Sequence, residues 1–328
     1  MLTTLASATV GLVTMSSAHG FASEGTASKD ALADVLPHFA DESRRKLTAV
    51  LRDPVFSGQV PAAVVEDLLV LEQKDIATLM LGLLPLARTY SHPPISNYHV
   101  GAVARGASGS LYFGFNIEFP GHALGFAVHG EQAALSNAYM HSEQDVSAIA
   151  VTAAPCGHCR QFMNELGPDG EIEILMEGSS PLKLATLLPK AFGPKDLGRK
   201  EGALPVKEAN LIPATAPSDA LSQAALESAR KSYAPYTGSY SGAAIGTRSG
   251  RIYKGAYIEN VAFNPSLSPL QTALVQLILA GEEYGAIARV ALAGVTQAKI
   301  SQRSVSDAVL TAVAPGVRAE FLATEIKS

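Results

Sequence analysis

Only two cysteines occur in 328 residues, Cys156 and Cys159, and they stand three positions apart. So close a pair cannot staple a chain of this length, which excludes a scaffold built on disulfides. A metal site or a redox dithiol remains, and both suit a reducing compartment. Charge is sparse as well. Asp, Glu, Lys and Arg make up 17% of the chain, the formal net charge is −5, and residues 91–194 hold nine acidic against four basic side chains. There is no electrostatic footprint for nucleic acid, and a polyphosphate would be repelled. The expected ligand is small, without several phosphates. No stretch is strongly apolar over the roughly 20 residues that a membrane-spanning helix needs. Residues 1–28 contain no Lys or Arg, so the basic start of a secretory signal is missing, although Leu5 to Met15 is moderately apolar. The expectation is a disordered N-terminal extension over 1–28 on a cytoplasmic protein that binds neither membrane nor nucleic acid.

What is present argues for a compact enzyme-sized protein. Hydrophobic residues reach 47%, and the length suggests two domains. From Lys29 to about Tyr90 apolar residues recur three and four apart (Val64, Val65, Leu68, Leu69; Ile76, Leu79, Met80, Leu83), which predicts helices broken at Pro54 and Pro61. Two strand-like runs follow, Tyr98–Arg105 and Leu111–Phe119, joined at Gly106-Ala107-Ser108-Gly109 as a hairpin. A helix is expected from about His129 to Met140, a strand over Val146–Thr152, a helix over Cys156–Leu166 and a strand over Glu171–Met176. This alternation predicts an α/β layered domain with at least partly parallel pairing. The expected divisions are a helical region 29–90, a catalytic domain 91–192, a Pro/Gly/Lys/Glu-rich linker 193–217 and a second domain 218–328.

The second domain echoes the first. Gly242-Ala243 repeats Gly101-Ala102, Ile258-Glu259 repeats Ile117-Glu118, and Gln271-Thr272-Ala273-Leu274 repeats Gln132-Ala133-Ala134-Leu135, at an offset of about 141 that slips by two at the last pair. An internal duplication is expected. Ser268, Pro269 and Leu270 stand where the first copy has His129, Gly130 and Glu131, and no Cys follows Cys159. The second copy therefore cannot rebuild the same site; packing, dimerisation or closure of the active site is its expected role.

The chemistry concentrates between His129 and Cys159. Cys156 and Cys159 fall on one face of a helix start, where outward N–H groups and the helix dipole favour thiolates. His129 begins the other helix. One imidazole and two thiolates are three zinc ligands, with a fourth tetrahedral position left for water. Glu131, two residues from the histidine, is placed for general acid/base work rather than ligation. His158, between the cysteines, is expected to point away from their face. The pattern His-x-Glu followed by Pro-Cys-x-x-Cys is the signature of zinc-dependent base deaminases.

The run Pro155-Cys156-Gly157-His158-Cys159-Arg160-Gln161-Phe162-Met163-Asn164-Glu165-Leu166 resembles the bacterial-type, homodimeric cytidine deaminases. So do Asn116-Ile117-Glu118-Phe119, Ala191-Phe192-Gly193-Pro194-Lys195-Asp196-Leu197 and Phe263-Asn264-Pro265, over a span from about residue 29 to the C-terminus. The resemblance implies a duplicated three-layer α/β/α sandwich with a mixed sheet, preceded by a small helical region. It implies one Zn²⁺ per chain on His129, Cys156 and Cys159, with Glu131 as proton donor and acceptor. It further implies a homodimer, ribose contacts from Asn116 and Glu118, and aromatic contacts to the base from Tyr98, in place of a family phenylalanine, and Phe192. Gly130 departs from the family's alanine. The activity implied is hydrolysis of cytidine and deoxycytidine to uridine and deoxyuridine with release of ammonia, in pyrimidine salvage. Competing readings are a deaminase of another small amidine-type base or nucleoside, and a structural zinc or redox module.

Overall fold

The computed structural model describes residues 35–167 and 170–327. The expected extension over 1–28 lies outside the described residues. The described chain opens with helices α1 (Asp41–Leu51), α2 (Ala62–Glu72) and α3 (Ile76–Arg88), with the two-residue strand β1 (Gln59–Val60) between the first two. Pro61 is the residue from which α2 starts. A further break falls at Gln73–Asp75, where Gln73 turns left-handed at φ 52° and Asp75 caps α3 by accepting a bond from the Thr78 N–H at 2.7 Å. Pro85 is carried inside α3, close to its end.

Two layered units follow. The first holds β2 (Gly101–Gly106), β3 (Leu111–Phe115), α4 (Gly130–Met140), β4 (Val146–Val151), α5 (Gly157–Leu166), β5 (Glu173–Leu175), β6 (Leu182–Lys183) and α6 (Leu184–Leu187). The second holds β7 (Leu211–Pro213), α7 (Ala220–Arg230), β8 (Ser241–Thr247), β9 (Ile252–Ala256), α8 (Pro269–Leu279), β10 (Ile287–Val295), α9 (Arg303–Val313) and β11 (Ala319–Ile326). Strand order is β1-β3-β2-β4-β5-β6 in one sheet and β7-β11-β10-β8-β9 in the other. Both sheets are mixed. The β4–β5 and β10–β11 pairs are parallel and their neighbours antiparallel.

Register places helices on both faces. Gly101 pairs with Phe115 and Ala102 with Gly114, and residues directly opposite across a ladder share a face. A Cβ on Gly101 would strike the α3 backbone at Leu84 and Arg88, whereas one on Gly114 would strike α4 at Gly130 and Ala134. Thus α3 and α4 lie on opposite faces, the α/β/α layering expected. Gly242 meets α7 and Gly255 meets α8 in the same way. The duplication extends to the irregular parts: bridges His92–Ile117 and Ile117–Val128 recur as Tyr233–Ile258 and Ile258–Leu267.

The two copies meet through α4 and α8. Every residue of α8, and of α4 through Tyr139, is buried, the condition of a helix covered on all sides. Bonds across the contact are reciprocal. Gln132 donates to the Pro265 carbonyl at 3.0 Å and its counterpart Gln271 to the Phe126 carbonyl at 2.6 Å, while Gln276 donates to Asn137 at 3.1 Å. One continuous apolar cluster runs from Leu36 and Leu47 through both helices to Leu310.

The hairpin strands are shorter than the pattern predicts, because a side chain replaces the ladder. Asn116 accepts from the Val100 N–H at 3.0 Å and donates to the Tyr98 carbonyl at 2.9 Å. Regular pairing therefore begins only at Gly101. The same register brings the start of β2, the end of β3 and the end of β4 to one end of the sheet, and the loops leaving that end carry the chemistry.

Candidate metal centre

His129 is the N-cap of α4 and Cys156 the N-cap of α5, so two helix starts converge at the sheet end. His129 Nδ1 lies 3.5 Å from Cys156 Sγ and 3.3 Å from Cys159 Sγ, and the two sulfurs are 3.6 Å apart. A tetrahedral ion with the usual zinc bond lengths separates its ligands by about 3.8 Å for S···S and about 3.6 Å for N···S. The three donors therefore fit zinc without rearrangement. The sulfurs stand well beyond the roughly 2.05 Å of a disulfide, and both thiols are free. Among the described residues these three form the one cluster of its kind.

The electrostatics assign the first proton. Hydrogen bonds from Cys159 and then His129 lower the Cys156 thiol to about 3. That thiolate, with burial, raises the Cys159 thiol. His129 is raised mainly by its bond to Cys156. Such a set readily exchanges protons for a divalent cation.

Glu131 lies one residue inside α4 and is 5% exposed. Burial pushes its carboxyl up, and the neighbouring Cys159 thiol and His129 pull it partly back. A carboxyl held towards its protonated form beside the ligands is suited to carry a proton both ways. The His158 ring stacks on the His129 ring, centroids 5.4 Å apart and planes 27° from parallel. It braces a donor ring rather than joining the cluster. Arg160 donates to the Pro155 and Leu187 carbonyls at 2.8 Å each, tying down the turn that presents Cys156. Gly130 has a local reason: a Cβ there would sit 2.8 Å from Val100 Cγ1.

Around this centre the structure brings Asn116, Glu118 and Tyr98 to the same end of the sheet. Glu118 accepts from the Ile95 and Ser96 N–H groups at 2.8 and 2.9 Å on one oxygen, and from Ser96 Oγ at 2.5 Å on the other. Burial opposes its charge, but these bonds hold it below the usual carboxylate range. Three of about four lone-pair sites are thus filled, and one remains. Asn116 likewise keeps one donor and one acceptor free. In the second copy Glu259 repeats the clamp on Tyr236 N–H, Thr237 N–H and Thr237 Oγ1, and Tyr257, in Asn116's place, adds its hydroxyl at 3.3 Å. The fourth site is closed there, so the second copy lacks a free acceptor as well as the metal ligands. Ser96 escaped the sequence reading; its signal was the matching Thr237 at the repeat offset.

Tyr98 and Phe192 are 59% and 48% exposed, and neither is a core aromatic. Gln161 and Asn164 of α5 donate to the Phe192 carbonyl at 2.8 and 3.3 Å, fixing its loop to the helix that carries the cysteines.

A duplicated α/β/α sandwich with an imidazole, two thiols and a buried glutamate at converging helix starts defines a zinc-dependent deaminase. Family models described as "Cytidine and deoxycytidylate deaminase zinc-binding region" match residues 74–175 and 184–307. The chain belongs to the cytidine deaminase family. It is 49% identical over 244 residues to a cytidine deaminase of Vibrio vulnificus (strain YJ016), covering 74% of this chain and 82% of that one. A cytidine deaminase of Vibrio cholerae (serotype O1, strain M66-2) is 41% identical over 295 residues, 90% and 98% of the two chains. One from Cronobacter sakazakii is 44% identical over 267 residues, 81% and 90%.

Proposed function

We propose that the chain hydrolyses cytidine and deoxycytidine to the corresponding uridines and ammonia. The observation that carries this reading is the donor triad at zinc spacing with Glu131 buried beside it. His129, Cys156 and Cys159 would hold the metal, which would supply the Lewis acidity that makes a water acidic near pH 7. Glu131 would carry one proton of the attacking water to N3 of the pyrimidine and then the second proton of that same oxygen to the departing amine, because ammonia leaves poorly until protonated. Asn116 and Glu118, each with hydrogen-bonding capacity left over, receive the ribose hydroxyls, and Tyr98 and Phe192 flank the base. Their exposure in the single chain supports that role.

The working form is a homodimer in a reducing, cytoplasmic setting. The exposed Tyr98, Phe192 and Phe263 favour a covering partner, and two thiols 3.6 Å apart need reduction to remain ligands. No described helix is long and apolar enough to cross a membrane.

An ultraviolet assay over cytidine, deoxycytidine, their monophosphates and adenosine tests the substrate class, with turnover of the two nucleosides expected and the monophosphates disfavoured by the acidic surroundings. Glu131→Ala should retain one zinc per chain and lose about 10²–10⁴-fold in kcat. Zinc retained with no loss of rate would leave a structural zinc module instead.

A further inference from the structure

We propose that Glu165 is a positioning residue for the metal centre, through which the second copy, itself without ligands, fixes the cysteine-bearing helix α5. This rests on the zinc reading above. Glu165 lies in the last turn of α5 and is fully buried. One carboxylate oxygen accepts from the Tyr233 and Tyr236 hydroxyls at 2.8 and 2.6 Å, and the other from the Val261 N–H at 2.8 Å. All three donors belong to the second copy, and all three are neutral. A buried carboxylate answered only by neutral donors is costly unless those bonds are well made. Burial still pushes its carboxyl up, with the Tyr236, Val261 and Tyr233 bonds opposing. Gripping a helix end from two loops at once is what that cost secures.

The grip bears on the thiols because α5 is short and held at both ends. Its start is tied by Arg160 to the Pro155 and Leu187 carbonyls. Its far end is tied by Glu165, with Asn260 of the second copy donating to the Gln161 carbonyl at 3.0 Å between them. Cys159 and Glu165 are separated by about 9 Å of helix rise, so a pivot at Glu165 is transmitted rigidly to Cys159. The donor distances of 3.3 to 3.6 Å leave little room for such a pivot. Partners behind metal ligands are typically worth 10–100-fold in metal affinity or activity.

The test follows zinc release from the full-length enzyme to a chromophoric chelator, well below the unfolding temperature, together with kcat and KM in excess zinc. Glu165→Ala should release zinc at least about tenfold faster and lose kcat. Glu165→Gln should restore most of both, since its carbonyl can face the Val261 N–H while the tyrosine hydroxyls turn to accept from its amide. The double variant Tyr233→Phe/Tyr236→Phe keeps the carboxylate and removes two donors; it should also release zinc faster, and it carries the test if Glu165→Ala does not fold. Ser268→Ala, which removes the α8 N-cap, supplies a control of reduced stability without loss at this joint. Wild-type release from Glu165→Ala, or from the double variant, overturns the proposal, as does equal acceleration in Ser268→Ala at matched stability. A wild-type enzyme that binds no zinc would refute the functional reading instead, so the two failures are distinguishable.

Discussion

Glu118 is a residue whose charge state shapes the loop from Ile95 to Tyr98 as well as its own contacts. Its carboxylate holds the Ile95 and Ser96 amides, and Ser96 Oγ in turn receives the Tyr98 N–H at 3.0 Å. A carboxyl held below its ordinary value contributes stability above the unfolded pKa of about 4.3, and that contribution is lost as pH falls through the lowered folded value. Glu118→Gln should therefore melt below the wild type at pH 7, by a difference on the order of 2 °C for about 1 kcal/mol in a part-exposed site. The gap should close in the acid range below the ordinary glutamate value of about 4.3, as the wild type loses its own charge. Calorimetric scans across that range check it; a gap that stays constant with pH would show that the clamp owes nothing to ionisation.

Among elements, the strand-to-helix contacts are the least forgiving. A Cβ on Gly114 would lie 2.1 Å from Ala134 N, and one on Gly255 2.2 Å from Ala273 N. Both obstacles are backbone, which cannot swing aside, so Gly114→Ala and Gly255→Ala should each cost more than about 2 kcal/mol. Gly114 presses on the start of α4, where His129 sits, so its variant should also lose zinc. The folded fraction of Gly255→Ala should keep one zinc per chain, and metal analysis beside thermal melts separates the two. These contacts also show what one chain can and cannot reveal. Helices α2 and α3, the hairpin, α4, β4, α5 and the repeat were legible because period, glycines and motif spacing are local signals. So was the cluster of His129, Cys156 and Cys159 as a possible metal site, which their residue types and spacing mark before any fold is known. The break at Gln73–Asp75, the truncation of the hairpin by Asn116, and the two-residue strands β1 and β6 were not, because each depends on a side chain or edge supplied from elsewhere. Glu165 read as one letter of a motif; its three donors are 68 to 96 positions away.

For the molecule as a whole, the question is whether the first copy can stand without the second. The apolar cluster does not stop between them, and α4 is buried because α8 covers it. Removing the second copy would strip that cover. It would also leave the Gln132 amide and Asn137 Oδ1 without the Pro265 carbonyl and Gln276 that answer them, and Glu165 without all three donors. Each lost bond forfeits about 0.5–1.5 kcal/mol, and the newly exposed apolar face of α4 adds to that loss, enough together to consume much of a typical margin of about 5–15 kcal/mol. A fragment of residues 35–208 should therefore be recovered as aggregates or as oligomers paired through α4, with strong binding of an apolar dye. The full chain should instead unfold in a single calorimetric transition, with no separate melting of the first copy. Light scattering of the fragment decides the matter: a soluble monomer that melts cooperatively and holds zinc as tightly as the whole chain would mean that the second copy is an appended module, and that the shared core does not bind the two into one folding unit.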